Sequence, residues 1–168
     1  MNFCPSRFQG IPFFSCVLKG DSDAFARITG SSQYPGLHGL IRFYQTEYGV
    51  LTAAEITGLP KCPECCSGPV FAFHIHEGGQ CQGSASDPFA DTRGHYNPGA
   101  CPHPYHAGDL PPLFGNHGYA FSVFLTDRFC AEEIIGHTVI IHSHPDDFMT
   151  QPSGNAGSKI ACGVIRRT

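Results

Sequence analysis

The sequence has few charged residues and no cluster of basic ones. Asp, Glu, Lys and Arg make up 14% of the 168 residues, and the ten Lys and Arg are scattered along a chain of formal net charge −4. Nucleic-acid binding relies on a basic patch that neutralises phosphates. We therefore expect no nucleic-acid partner.

Long apolar runs are also missing. The longest, such as Val139 to Ile141, are far too short to span a bilayer. The N-terminus lacks the charged segment and following apolar stretch of a secretory signal. These absences predict no membrane partner and a cytoplasmic location. Nine cysteines are many for a cytosolic protein, however, and they leave export open.

What the chain does have is turn residues between short apolar runs. It contains 20 glycines and 14 prolines, and 41% of its residues are hydrophobic. Short runs of this kind, bounded by Gly and Pro, are typical of strands. We predict an all-β fold, a Greek-key β-barrel or sandwich of about eight antiparallel strands. The predicted strands are Ala24 to Thr29, Gly39 to Gln45, Val50 to Thr57, Val70 to His76, Tyr119 to Leu125, Ile134 to Ile135 with Thr138 to His142, and Ile160 to Ile165.

Two stretches without any period are predicted to be long functional loops, residues 77 to 113 and 143 to 159. A length of 168 residues fits one domain. We place that domain at residues 23–168 and interpret residues 1–22 as an N-terminal extension of unknown role.

Histidine is abundant, with ten residues, and several stand at ligand-like spacing. His74 and His76 lie on one face of a strand, because side chains alternate. The first long loop adds three imidazoles and a carboxylate, a set suited to tetrahedral zinc; these are His95, His103, His106 and Asp109. His142 ends a predicted strand and can join His74 and His76.

Five motifs follow one another in order from residue 73 to residue 165, and the match around them begins at residue 24. They are Phe73-His74-Ile75-His76-Glu77, Gly94-His95-Tyr96-Asn97-Pro98, His106-Ala107-Gly108-Asp109-Leu110, the run from Ile135 to His142, and the run from Gly154 to Ile165. Together they resemble the motifs of the copper/zinc superoxide dismutase family, and the chain looks like a bacterial-type member. One motif alone would be weak, but five in order are specific.

The resemblance implies an enzyme that disproportionates superoxide anion to dioxygen and hydrogen peroxide at a copper ion, which His95 bridges to zinc. It implies copper ligands His74, His76, His95 and His142, and zinc ligands His95, His103, His106 and Asp109. It gives Asp146 the role of linking copper and zinc ligands through hydrogen bonds, and it pairs Cys81 with Cys162 in a disulfide. A homodimer is a further expectation.

Lys159 stands where the family usually has arginine. Lysine keeps the positive charge but loses the planar fork, so we expect it to guide the anion to the catalytic centre with weaker orientation. The stretch from Ser143 to Ser158, just before Lys159, is shorter than in the animal enzymes, and its only formal charges are Asp146 and Asp147.

Two other functions fit parts of the pattern. One is a non-catalytic copper- and zinc-binding member of the same fold, acting as a chaperone, buffer or structural module; the loss of a copper ligand would favour it, and none is lost. The other is a zinc hydrolase built on His-x-His, in which an Asp is usual where Gly78 stands.

The other cysteines leave their pairing open. One cluster of cysteines consists of Cys62, Cys65 and Cys66. It can be half of a zinc ribbon, a redox pair or a copper-acquiring site. An extra disulfide or surface thiols fit better, because no second Cys-x-x-Cys follows to complete a zinc ribbon. Cys101 can pair with that cluster or with Cys130. Cys4 and Cys16 remain unassigned.

Overall fold

The computed structural model of the protein describes residues 17–61 and 69–168. Within those ranges the chain forms nine strands and a 3₁₀ helix at Ala90–Thr92. The strands are β1 Ala24–Gly30, β2 His38–Thr46, β3 Gly49–Thr57, β4 Val70–Phe71, β5 Phe73–His76, β6 Leu113–Phe114, β7 Tyr119–Thr126, β8 Thr138–His142 and β9 Lys159–Arg167. The all-β prediction is confirmed.

Seven of these strands form one antiparallel sheet in the order β5-β8-β9-β1-β2-β3-β7. After β3 the chain crosses to β4 and β5, and it returns only at β7, which pairs with β3. This return is a Greek-key connection.

The remaining pair, β4 with β6, joins the two edges of that sheet. β4 continues into β5 at one edge, and β6 leads into β7 at the other. The turn from β6 into β7 places His117 and Gly118 at φ 54° and 93°, the left-handed region that a tight hairpin of the primed type requires. The sheet therefore curls on itself.

The inner face of the curled sheet is one hydrophobic core. Alternate residues of β1 point into it, namely Ala24, Ala26 and Ile28, as strand geometry demands. On the β4–β5 segment, Phe71, Phe73 and Ile75 are also buried in this core. His74 and His76 thus project from the other face of β5, as the alternation predicted.

Two strand predictions are wrong. Val70 to His76 is not one strand, because the chain breaks at Ala72. The N–H of Ala72 donates to the His144 carbonyl, and the Ala72 carbonyl accepts from the His142 N–H. The pairing partner therefore changes from β6 to β8 at this residue. Ile134 and Ile135 lie in a turn, and Ile134 is buried in the core without pairing as a strand.

Some predictions lie wholly or partly outside the described residues. Cys4, Cys16, Cys62, Cys65 and Cys66 are all outside them, and of the predicted extension only residues 17–22 are described. Cys101 and Cys130 are both exposed free thiols, so neither pairs with the other. Along residues 17–61 and 69–168, no helix is long and apolar enough to cross a membrane.

A disulfide between Cys81 and Cys162 ties the first long loop to β9, as the resemblance implied. The two residues are 81 positions apart, and the bond packs in a small cluster with Phe89 and Ile140. Chain-entropy arguments give a loop of that size a stabilisation of about 4.5 kcal/mol. The disulfide therefore fixes the start of the loop that carries the zinc-type ligands.

We predict that the double variant Cys81→Ala with Cys162→Ala lowers the free energy of unfolding by about 2–5 kcal/mol, because the unfolded chain regains the freedom of a long loop. Urea denaturation of the oxidised protein measures this change. Cys130→Ala removes an exposed free thiol and serves as the control, with an expected change of at most about 0.5 kcal/mol. Equal stability of the double variant and the control would contradict the role given to the disulfide.

Candidate metal centre

The first long loop folds back onto β5, the edge strand of the sheet. The N–H of Tyr96 donates to the Ile75 carbonyl, and the N–H of Ile75 donates to the Gly108 carbonyl, each at 2.8 Å. Bridges also join His76 with His95 and His74 with Asp109. Because the free edge of β5 takes up two passes of the loop, His95 and Asp109 are delivered beside the two strand histidines.

The structure brings the predicted ligands together in two buried groups. The first contains His74, His76, His95 and His142, and the second contains His95, His103, His106 and Asp109. Within each group the nearest ligand atoms all lie within 4.8 Å of one another. His95 belongs to both groups, so its ring stands between two sites that can each hold a metal ion.

Hydrogen bonds fix which ring nitrogens face the first group. A carbonyl can only accept, so Nδ1 of His76, 2.9 Å from the Arg93 carbonyl, carries the proton and donates it. Nδ1 of His142 is held likewise, 3.4 Å from the Gly157 carbonyl. This leaves two Nε2 lone pairs facing each other at 3.3 Å, an arrangement that favours a cation between them.

Two more nitrogens of the first group are buried without a partner. They are Nδ1 of His74 and Nε2 of His95. An unsatisfied buried nitrogen costs free energy unless something binds it. The first group therefore offers four imidazole nitrogens to one ion, a donor set that suits Cu(II).

The second group combines three imidazoles with a carboxylate. Nδ1 of His95 lies 2.7 Å from Oδ1 of Asp109, and Nδ1 of His106 lies 3.3 Å from Nδ1 of His95. Nδ1 of His103 is 3.1 Å from Oδ2 of Asp109 but makes no hydrogen bond. Three nitrogens and one oxygen that converge in this way match a closed tetrahedral zinc site.

Asp146 connects the two groups. Its Oδ2 accepts from Nε2 of His74 at 2.7 Å, and its Oδ1 accepts from Nε2 of His103 at 2.9 Å. Both imidazoles are thereby locked with Nδ1 free to bind a metal. Asp146 comes from the second long loop, so one carboxylate joins β5 and both loops.

Burial keeps three histidines of the first group in the protonation state that metal binding needs. It lowers the pKa of His74 and lowers the pKa of His76 further, and it lowers the pKa of His142 to about 3. These imidazoles are neutral at pH 7. Burial raises the pKa of Asp146, but hydrogen bonds from His74, Phe148 and His103 outweigh it and bring the pKa to about 2, so Asp146 is an anion.

Lys159, which the sequence analysis placed near the catalytic centre, pairs directly with His142 across β8 and β9. Its Nζ lies 3.2 Å from Oδ2 of Asp87 and donates to the Phe89 carbonyl at 3.1 Å. The backbone N–H of Phe89 also donates to the Asp87 carboxylate. Lys159 is thus held in place beside the first group, with its charge paired.

The sequence analysis missed Arg128 as a supporting residue, and it named Gly154 only as the start of a motif, without a role. Nη1 of Arg128 lies 3.0–3.3 Å from the carbonyls of Pro104, His106 and Asp109, and so clamps the segment that carries two zinc-type ligands. Gly154, at φ 68°, lies so close to Asp146 that an added Cβ would stand 1.9 Å from its Oδ1. The Arg128 contacts had no sequence signal, because they span 19 to 24 positions of the chain. Gly154 stands in a recognised motif, but the motif does not show which side chain lies against it.

Comparison with known proteins agrees with this geometry. A sequence model of the family described as "Copper/zinc superoxide dismutase (SODC)" matches residues 37–165. The chain belongs to the copper/zinc superoxide dismutase family. It is 36% identical over 143 residues to a superoxide dismutase [Cu-Zn] of Aquifex aeolicus, an alignment that covers 76% of this chain and 78% of that one.

Other relatives extend the match. A superoxide dismutase [Cu-Zn] of Legionella pneumophila is 32% identical over 165 residues, with 94% of both chains covered. Among solved structures, a double mutant of a SOD-like protein from Bacillus subtilis superposes with a TM-score of 0.66 at 28% identity, covering 83% of this chain and 94% of that one.

Family membership and the two complete ligand groups together define the activity. The chain is an oxidoreductase that disproportionates superoxide, with copper and zinc as its cofactors. The non-catalytic alternative is not better supported, since all the predicted ligands are present and converge.

We predict that Gly154→Ala weakens zinc binding about 10–100-fold, because the new methyl group displaces Asp146 from His103. Competition with a chelator of known affinity measures this change. Gly136→Ala is the matched control: it too has positive φ, but an added Cβ meets nothing within 4 Å, so it reproduces the backbone strain without the clash. Equal zinc affinity in the two variants would contradict the prediction.

Proposed function

We propose that copper is held by His74, His76, His95 and His142 and zinc by His95, His103, His106 and Asp109, and that superoxide reacts at the first of these sites. The observation that carries this proposal is the pair of buried, unsatisfied nitrogens on His74 and His95, which lie in a group of four histidines. Copper, when bound there, supplies the one-electron oxidation and reduction of superoxide, and zinc supplies a fixed positive charge.

His95 is the residue that we assign to proton handling. Its Nδ1 is directed at Asp109 and the zinc-type ligands, so its Nε2 is the atom that faces the copper set. Reduction of superoxide to hydrogen peroxide consumes protons, and Nε2 of His95 can hold one at that point. Asp146 keeps His74 and His103 oriented on either side of this ring.

The test is the dismutation rate of the copper- and zinc-loaded protein against that of His142→Ala. We expect the variant to lose almost all activity, because one of four nitrogens of the copper set is gone. His144→Ala is the matched control, since His144 is exposed and only two residues away, and it should keep the full rate. A loaded wild-type protein no faster than the same amount of free copper would overturn the proposal.

Lys159 is proposed to attract superoxide to the copper site. It stands opposite His142, and its ammonium group is the cation whose charge acts on that ligand. Asp87 opposes this attraction, because its carboxylate pairs with the same ammonium group. The two side chains together set the local field that a small anion meets.

We predict that Lys159→Met lowers the second-order rate constant about 10-fold at low ionic strength, and that Asp87→Asn raises it. Both differences should shrink as salt screens the charges. Rate constants measured over a series of ionic strengths test this, with Lys159→Arg as the control that keeps the charge. An unchanged rate for Lys159→Met at low salt would exclude a steering role.

Three further parts of the function stay predictions. They are the extent of the catalytic domain over residues 23–168, with residues 1–22 as an extension, the assembly into a homodimer, and the cytoplasmic location. Sedimentation of the loaded protein tests the second, and fractionation of cells that express the chain tests the third.

A further inference from the structure

The zinc-type ligand His103 lies between two prolines. Pro102 and Pro104 have no backbone N–H, so this part of the first long loop has few N–H groups with which to pair. His103 is nevertheless only 3% exposed, and buried backbone N–H and carbonyl groups need partners. A ligand ring is held accurately only if the backbone that carries it is also fixed.

Gln151 of the second long loop supplies both partners. The N–H of His103 donates to Oε1 of Gln151 at 3.0 Å, and Nε2 of Gln151 donates to the His103 carbonyl at 2.7 Å. A backbone N–H can only donate and a carbonyl can only accept, so the amide fits in one orientation. Along residues 17–61 and 69–168, no other residue hydrogen-bonds the backbone of His103.

Asn97 makes the same reciprocal pair of hydrogen bonds with Cys101. Its Nδ2 donates to the Cys101 carbonyl at 2.8 Å, and its Oδ1 accepts from the Cys101 N–H at 3.0 Å. Asn97 belongs to the first loop, two residues after His95, whereas Gln151 is 48 positions from His103. The first loop thus fixes its own backbone at Cys101, and the second loop fixes it at the next ligand.

The turn that presents Gln151 is held by Asp147. Oδ1 of Asp147 accepts from the Thr150 N–H at 2.8 Å, and its Oδ2 accepts from the Thr150 hydroxyl at 2.6 Å. The Gly154 N–H donates to the Thr150 carbonyl, and the Asp147 N–H donates to the Gly154 carbonyl, which closes the turn. Because the turn already holds the backbone of Gln151, the amide loses little further freedom when it binds His103.

We propose that Gln151 is a positioning residue for the zinc site, because its side-chain amide fixes the backbone of His103. Asp146 of the same loop fixes the ring of His103 through Nε2. Backbone and ring are thus both held by the second long loop, with Nδ1 left to bind the metal. The inference rests on the proposed assignment of zinc to the second group.

Gln151→Met tests this proposal, because it keeps the length of the side chain but removes both hydrogen bonds. In the full chain, competition with a chelator of known affinity should show zinc bound about 10-fold more weakly than by the wild-type protein. Co(II) in the zinc site should show a changed visible absorption spectrum, because its bands depend on the arrangement of the ligands. Gln80→Met is the matched control: Gln80 is likewise exposed, and the variant should keep the wild-type affinity and spectrum.

Unchanged zinc affinity in Gln151→Met would overturn the proposal. So would a weaker affinity combined with the wild-type Co(II) spectrum, since the ligand geometry would then be intact and the loss would reflect general stability. His103→Ala tests the assignment of zinc separately. If that variant binds zinc as tightly as the wild-type protein, the assignment fails, and the role of Gln151 fails with it.

Discussion

Six histidines buried side by side would destabilise a fold unless each ring nitrogen had a partner, because an unpaired buried nitrogen loses its bonds to water. In four of these histidines, one ring nitrogen donates a hydrogen bond to a carbonyl or carboxylate of the fold, and the other faces a metal site. A carbonyl takes the N–H of His76 and another that of His142, while Asp146 takes those of His74 and His103. The nitrogens left over face inward, toward the two groups that can each hold a metal ion.

Asp146 has the most demanding place in this arrangement. Its two oxygens hold one ligand of each set, and its own backbone lies in a loop of irregular conformation. The loop can bring the carboxylate so close only because Gly154 has no side chain to collide with it. The geometry of both groups thus depends on Gly154, which belongs to neither group. Residues around the ligands commonly orient them in this way.

The scaffold explains how a long loop becomes a rigid ligand carrier. β5 is an edge strand, and an unpaired edge would be free to bind another chain. Here it is used by the loop itself, through the bonds at Ile75 to Tyr96 and Gly108. The disulfide from Cys81 to Cys162 fixes the start of the loop, and Arg128 clamps its far part at three carbonyls. The hydrogen bonds and the disulfide therefore hold the ligand-bearing loop in position against the sheet.

The sequence was sufficient to predict which residues converge in the two groups, but not which residues support them. Alternation along one strand places His74 and His76 on the same face, and turn residues delimit most strands. The break at Ala72 could not be predicted, because it arises from a change of hydrogen-bonding partner between β6 and β8. Arg128, Asp87 and the contact of Gly154 with Asp146 were missed for a related reason: these contacts are tertiary, and no local pattern encodes them.

Lys159 shows why residue type alone is a poor guide to electrostatics. The sequence predicted a cation that faces an incoming anion, and the structure adds a carboxylate 3.2 Å from it. Because the Phe89 N–H holds Asp87 in turn, the pair is a fixed feature rather than a chance surface contact. The electric field near Lys159 is therefore the sum of the fields of the ammonium group and of the Asp87 carboxylate, which partly cancel. The field of such a pair falls off faster with distance than that of a single charge. If Lys159 attracts superoxide as we propose, that attraction is confined to the immediate approach to His142, because the overall charge of −4 repels anions at longer range.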